Sequence, residues 1–208
     1  MGRLTLLINI LFGSCLILLN MVSCKPDTRV EIDTHLENLD TLNENQTDTY
    51  MQKINLAGVY VTVSGSKGGI MKDMEVHVRD TSIPDILSTK LQIDGEISKV
   101  HIADLNNDGK KEVYLFNTGS GSGSYGTVIG WQVSGKQLDT ISIDEEATVS
   151  DPMYMGHDSF YLQTPYIIRN YPAYRESDAN CCPSGGEKTV RYRLTKIQGL
   201  LKLVPAHE

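Results

Sequence analysis

From about Ile54 onward, hydrophobic and polar residues alternate in short runs. Val59–Val63, Met74–Val78, Ser98–Ile102, Val113–Phe116, Thr127–Val133 and Gln137–Ile143 each carry β-branched or aromatic residues at strand spacing. Ser159–Leu162, Tyr166–Arg169, Thr189–Leu194 and Leu200–Val204 continue the series, the last two facing each other across Gln198-Gly199. Gly, Asn, Asp and Pro divide the runs, and no long amphipathic helical period or solenoid repeat intervenes. The pattern predicts an all-β domain over 53–208, an antiparallel β-sandwich or flattened barrel of about eight strands.

The chain upstream reads differently. Arg3 precedes an apolar stretch from Leu4 to Val22, and Met21-Val22-Ser23-Cys24 follows. A positive start, an apolar core and small residues at the cut make a signal peptide over 1–23. A Cys directly after Ser23 suits lipoprotein processing, so Cys24 is the expected lipidation site and first mature residue. The rivals are an ordinary signal peptide and a single membrane anchor, since about 19 apolar-rich residues nearly span a bilayer. Residues 24–52 are rich in Asp, Glu, Asn and Thr, with sparse apolar residues. They read as a disordered polar tether, apart from a short helix near 34–42, because such a segment buries too little surface to offset its chain entropy. Its length gives a random-coil reach of about 30 Å. The expected location is the outer membrane, periplasmic or surface face, with membrane contact through the lipid only.

Cleavage would remove only Arg3, taking the net charge from −7 to about −8. An acidic balance argues against nucleic acid as partner and favours a basic protein through long-range steering. Homodimerisation is left open by the sequence.

Three segments carry candidate chemistry. Asp104, Asn106, Asp108 and Glu112 place oxygen side chains at alternating positions of a tight loop, with Gly109 at its turn. Such loops collect hard ligands for Ca²⁺, although this one lacks the bidentate Glu and flanking helices of an EF-hand. An Asx-rich turn that hydrogen-bonds its own backbone has the same composition. No other cofactor is implied. The second segment, Thr118–Gly126, is built from Gly and Ser around the single aromatic Tyr125. It has no phosphate-loop ending and no nucleophile elbow. Composition alone makes it a flexible connector; Tyr125 makes it a binding tip with an aromatic anchor. In the third segment, Cys181-Cys182 forms either a vicinal disulfide or a bridge between two chains, and lacks metal-ligand spacing. The Asp144-Glu145-Glu146 run reads as a solvated turn rather than as the carboxyl pair of a glycoside hydrolase.

The stretch from about Val100 to Leu194 resembles the periplasmic inhibitors of invertebrate-type lysozyme. The likeness rests on Ala103-Asp104-Leu105-Asn106-Asn107-Asp108-Gly109 running into Glu112-Val113-Tyr114, and on Gly121-Ser122-Gly123-Ser124-Tyr125-Gly126. It continues in Tyr154-Met155-Gly156-His157-Asp158-x-Phe160, in Arg169 and Tyr171-Pro172-x-Tyr174, and in Asp178-x-Asn180 with Pro183-Ser184-Gly185-Gly186. Residues 54–99 align loosely, and the tether and Cys24 lie outside. The resemblance implies a non-enzymatic all-β protein whose partner is lysozyme. Its inhibitory loop would be Ser122, Gly123, Ser124 and Tyr125, inserted into the lysozyme's cleft. The alternative from another class is a Ca²⁺-dependent carbohydrate-binding or adhesion module that works through Asp104–Glu112.

Overall fold

The computed structural model describes residues 49–144 and 150–206. The expectations for the signal peptide, Cys24, the tether up to residue 48, and Glu145 and Glu146 fall outside those residues. The described chain is all-β, with twelve strands in two sheets and no helix. The first sheet is an antiparallel meander of β1 (Thr49–Leu56), β2 (Val59–Ser66), β3 (Met71–Asp80) and β4 (Ile86–Asp94). The other eight strands are β5 (Glu96–Ala103), β6 (Glu112–Thr118), β7 (Gly126–Ser134), β8 (Gln137–Ile143), β9 (Ser159–Gln163), β10 (Tyr166–Pro172), β11 (Glu187–Ile197) and β12 (Leu200–Pro205). They lie in the order β5-β6-β7-β8-β12-β11-β10-β9. All neighbours are antiparallel except β8 and β12.

Two strands went unread in the sequence. β1 begins at Thr49, inside the segment expected to be tether, and turns into β2 through Ala57 and Gly58, both at positive φ. That is the backbone a two-residue hairpin needs for its twist to match the strands. β4 alternates inward Leu87, Leu91 and Ile93 with Ser88, Lys90 and Gln92. With these two and the ten runs read in the sequence all forming strands, the domain has twelve, against the about eight expected.

The eight-stranded sheet curls until it is nearly closed, and this curl makes two cores. Val61, Val63, Val76 and Val78 of the first sheet pack on Val113, Leu115, Trp131 and Val133. Inside the curl, Tyr114, Phe116 and Val128 meet Ile141, Ile167, Tyr192 and Leu203. β6 therefore buries both faces, and its unbroken apolar run Val113–Phe116 follows from that position. Gly130 is required here: a Cβ would lie 2.9 Å from the Tyr114 ring. The curl also brings the start of β7 against the segment before β9, where the Gly126 amide donates to Asp158 at 2.8 Å.

Candidate functional site: an aromatic tip between three loops

The β6–β7 loop is held by its own backbone and by three neighbouring segments. Gly119 N–H donates to the Tyr125 carbonyl, and Ser124 N–H to the Gly121 carbonyl, both at 2.8 Å. Outside the loop, Ser120 Oγ donates to Asp94 at 2.5 Å. The His157 amide donates to the Gly123 carbonyl, and Asn180 Nδ2 reaches the Ser122 carbonyl at 3.4 Å. The flexible connector suggested by composition is thus an ordered hairpin tip.

Tyr125 crowns this tip. Its side chain stays 55% exposed, while its ring stands edge-on to Tyr154 with centroids 5.7 Å apart. Two glycines make that seat. A Cβ on Gly123 would lie 2.5 Å from the Tyr125 ring, and one on Gly156 would lie 2.1 Å from the Gly123 carbonyl oxygen. Gly156 also holds φ +88°, where an L side chain is strained. Ser122, three residues before the tyrosine, is exposed. Gly123 and Ser124 are half-buried, and Ser124 takes a positive φ of 43° to close the turn.

A buried ion pair lies under the tip. Arg169 Nε donates to Asp158 at 2.7 Å, with the two side chains only 2% and 0% exposed. The other Asp158 oxygen accepts from Gly126 N–H and from the Tyr154 hydroxyl, at 2.8 and 2.7 Å. The Arg169 guanidinium lies over the Tyr154 and Phe160 rings, 5.0 and 5.4 Å from their centroids. Burial opposes the Arg169 charge, but the hydrogen bond and Coulomb attraction of Asp158 outweigh it and hold the group firmly protonated. Burial, then the hydrogen bond to Asp158, push the Tyr154 phenol above its usual range, so it remains a neutral donor. Tyr125, Tyr154, Asp94, Asn117 and Thr127 border an open groove of about 580 Å³ beside the tip.

The acidic loop sits at the other end of β6, about 20 Å away for a strand of that length. One oxygen each from Asp104, Asp108 and Glu112 lie within 4.8 Å of one another. Asn106 joins them through Asp108, accepting from its amide at 3.2 Å and donating to its carboxylate at 3.1 Å. Asp104 also accepts the Asp108 and Gly109 amides at 3.0 and 3.1 Å. Glu112 is fully buried and accepts Leu105 N–H at 2.8 Å. Burial pushes its carboxyl up to about 7, and Asp104 and Asp108 add to the rise against the opposing hydrogen bonds. All four expected residues therefore converge, and the carboxylates are hard donors of the kind Ca²⁺ takes. The same oxygens also serve as an Asx-type brace for the turn.

The β10–β11 loop completes the tip's surroundings. Cys181 and Cys182 are bonded to each other, one of the two arrangements the sequence left open. Tyr174 donates its hydroxyl to the Asn180 carbonyl at 2.8 Å. The residues that sequence reasoning did not assign a role are Asp158, Arg169 and Tyr154. Their signal was slight: a charged pair amid apolar and aromatic neighbours, split between two segments.

No protein-family model matches the chain, and no curated protein does. A solved exo-1,5-α-L-arabinanase from a bovine ruminal metagenomic library is similar over 77% of this chain and 78% of its own, at 10% identity and a TM-score of 0.25. A likeness that low carries no argument about fold or activity.

Proposed function

We propose that this protein is a lipid-anchored inhibitor of lysozyme, of the invertebrate type first, and that Ser122–Tyr125 blocks the enzyme's cleft. The observation that carries the reading is the state of Tyr125. Its ring is exposed, yet its backbone and its seat on Gly123, Gly156 and Tyr154 are fixed. An anchor already in place loses little conformational entropy on binding. A glycoside hydrolase cleft is narrow and presents two carboxyl groups. The Ser122 hydroxyl can donate to one of them, and the phenol can fill a sugar subsite with its own hydroxyl satisfied. The chain's negative charge hastens encounter with a cationic enzyme. Acylation of Cys24 keeps the domain at the outer membrane.

The test is a titration of the mature domain against invertebrate-, chicken- and goose-type lysozymes at several polysaccharide concentrations. Inhibition of the invertebrate type that falls as substrate rises is the expected result. No inhibition of any of the three would overturn the proposal. For the anchor, Cys24→Ala should move the protein to the soluble fraction; unchanged membrane association would refute the lipid attachment.

A further inference from the structure

We infer that Cys181–Cys182 is a thiol–disulfide exchange site that sets the order of the Ser122 tip; its effect on inhibition rests on the function proposed above. A disulfide between adjacent residues closes no chain loop, so it removes almost no entropy from the unfolded state. Its influence must be local. Both cysteines are exposed, as a small dithiol would require for attack.

The local consequence is legible in the hydrogen bonds around the pair. Asp178 accepts from the Arg175 amide, the Ser184 amide and Ser184 Oγ, at 2.7, 2.8 and 2.7 Å. Ala173 and Gly185–Gly186 fasten the loop's base. Both flanks are thus tied down, and the turn between them carries the disulfide together with a Cys182 N–H bond to the Ala179 carbonyl at 2.9 Å. Asn180 immediately precedes the ring. Its carbonyl takes the Tyr174 hydroxyl, and its side chain holds the Ser122 carbonyl. Opening the ring frees the turn that aims Asn180, and so loosens the tip that Asn180 braces.

The step balances with a dithiol as reductant. One thiolate attacks a cysteine sulfur to give a mixed disulfide, and the other cysteine leaves as thiolate and takes a proton. The second thiol of the reductant then attacks the mixed bond and departs in a cyclic disulfide, so two electrons and two protons pass to the pair.

The experiment compares the mature chain before and after treatment with dithiothreitol, which is removed before assay so that it cannot act on the target enzyme. Thiol titration verifies the reduction. Hydrogen exchange at the Ser124 amide, bonded to Gly121, should accelerate about fivefold, as loss of one net hydrogen bond implies. Inhibition should weaken by a similar factor. Cys181→Ser/Cys182→Ser should match the reduced form, and Asn180→Ala should exchange fast in both states. Unchanged exchange at Ser124 on reduction would overturn the inference, even with inhibition intact. Faster exchange in a chain that inhibits nothing would uphold the coupling and sink only the inhibitor reading.

Discussion

Arg169 and Asp158, 2.7 Å apart and shut off from water, tie the strand floor of the curled sheet to the backbone that begins β7 just after Tyr125. The pair thereby joins core packing to the geometry of the tip. Removing one partner leaves a buried charge without its counter-ion, which commonly costs about 3–5 kcal/mol. Arg169→Met should destabilise the domain by that order in urea denaturation. Asp158→Asn/Arg169→Met should recover part of the loss. A single variant as stable as the parent would show that the pair carries no such weight.

Gly156 predicts an effect on binding that backbone strain alone does not produce. Gly156→Ala places a methyl against the Gly123 carbonyl at a strained φ. Gly109→Ala meets comparable backbone strain, at φ +84°, but with nothing within 4 Å. Gly109→Ala should lose about 1–2 kcal/mol of stability, and Gly156→Ala more, since its methyl also meets backbone at 2.1 Å. Only Gly156→Ala should also weaken inhibition, by about tenfold or more, because it displaces the seat of Tyr125. Equal inhibition by the two variants would detach the tip from its brace.

Glu112 makes stability fall with rising pH over a defined window. Its folded carboxyl titrates near 7, against an ordinary value of 4.5. The folded state therefore holds the proton more tightly, and the contribution is complete below pH 4.5 and lost as pH rises through 7. That difference amounts to about 3 kcal/mol. Burial, then Lys99, lower the His101 value, so His101 acts in the opposite sense and loses its contribution on acidification. Comparison with Glu112→Gln isolates the carboxyl: the variant should lack the loss between pH 4.5 and 7. A parallel pH profile in both proteins would contradict the assignment.

Chelation separates the two ends of β6. The acidic turn is braced by its own amides, and the tip's anchors come from Asp94, His157, Asp158 and Asn180. EDTA should therefore leave lysozyme inhibition within about twofold, whatever it does to thermal stability. Inhibition abolished by EDTA and restored by Ca²⁺ would favour a module that works through Asp104–Glu112.

Much of this architecture was legible in the sequence, and the omissions have physical causes. β8 and the Gln198-Gly199 hairpin fell where alternation and turn residues placed them. β1 escaped because its inward residues Tyr50, Gln52 and Ile54 are only half-buried and follow a run of acidic and amide residues. Its hairpin was hidden by Ala57, an unusual residue at positive φ. At the site, the small residues and Tyr125 identified the tip, but composition suggested looseness. Order comes from Asp94, His157, Asp158 and Asn180, which only the curl of the sheet brings alongside. That Asp158 pairs with Arg169 was hard to read for the same reason: the two lie on different segments, and burial gives the pair its meaning.

The most direct test is the inhibition constant of Tyr125→Ala against an invertebrate-type lysozyme, with Ser122→Ala alongside. Tyr125 is exposed and its removal opens no core cavity, so both variants should melt within a few degrees of the parent. Losing a central aromatic anchor should weaken inhibition by about 30-fold or more, and Ser122→Ala by a smaller factor. A folded Tyr125→Ala that inhibits as strongly as the parent would contradict the account.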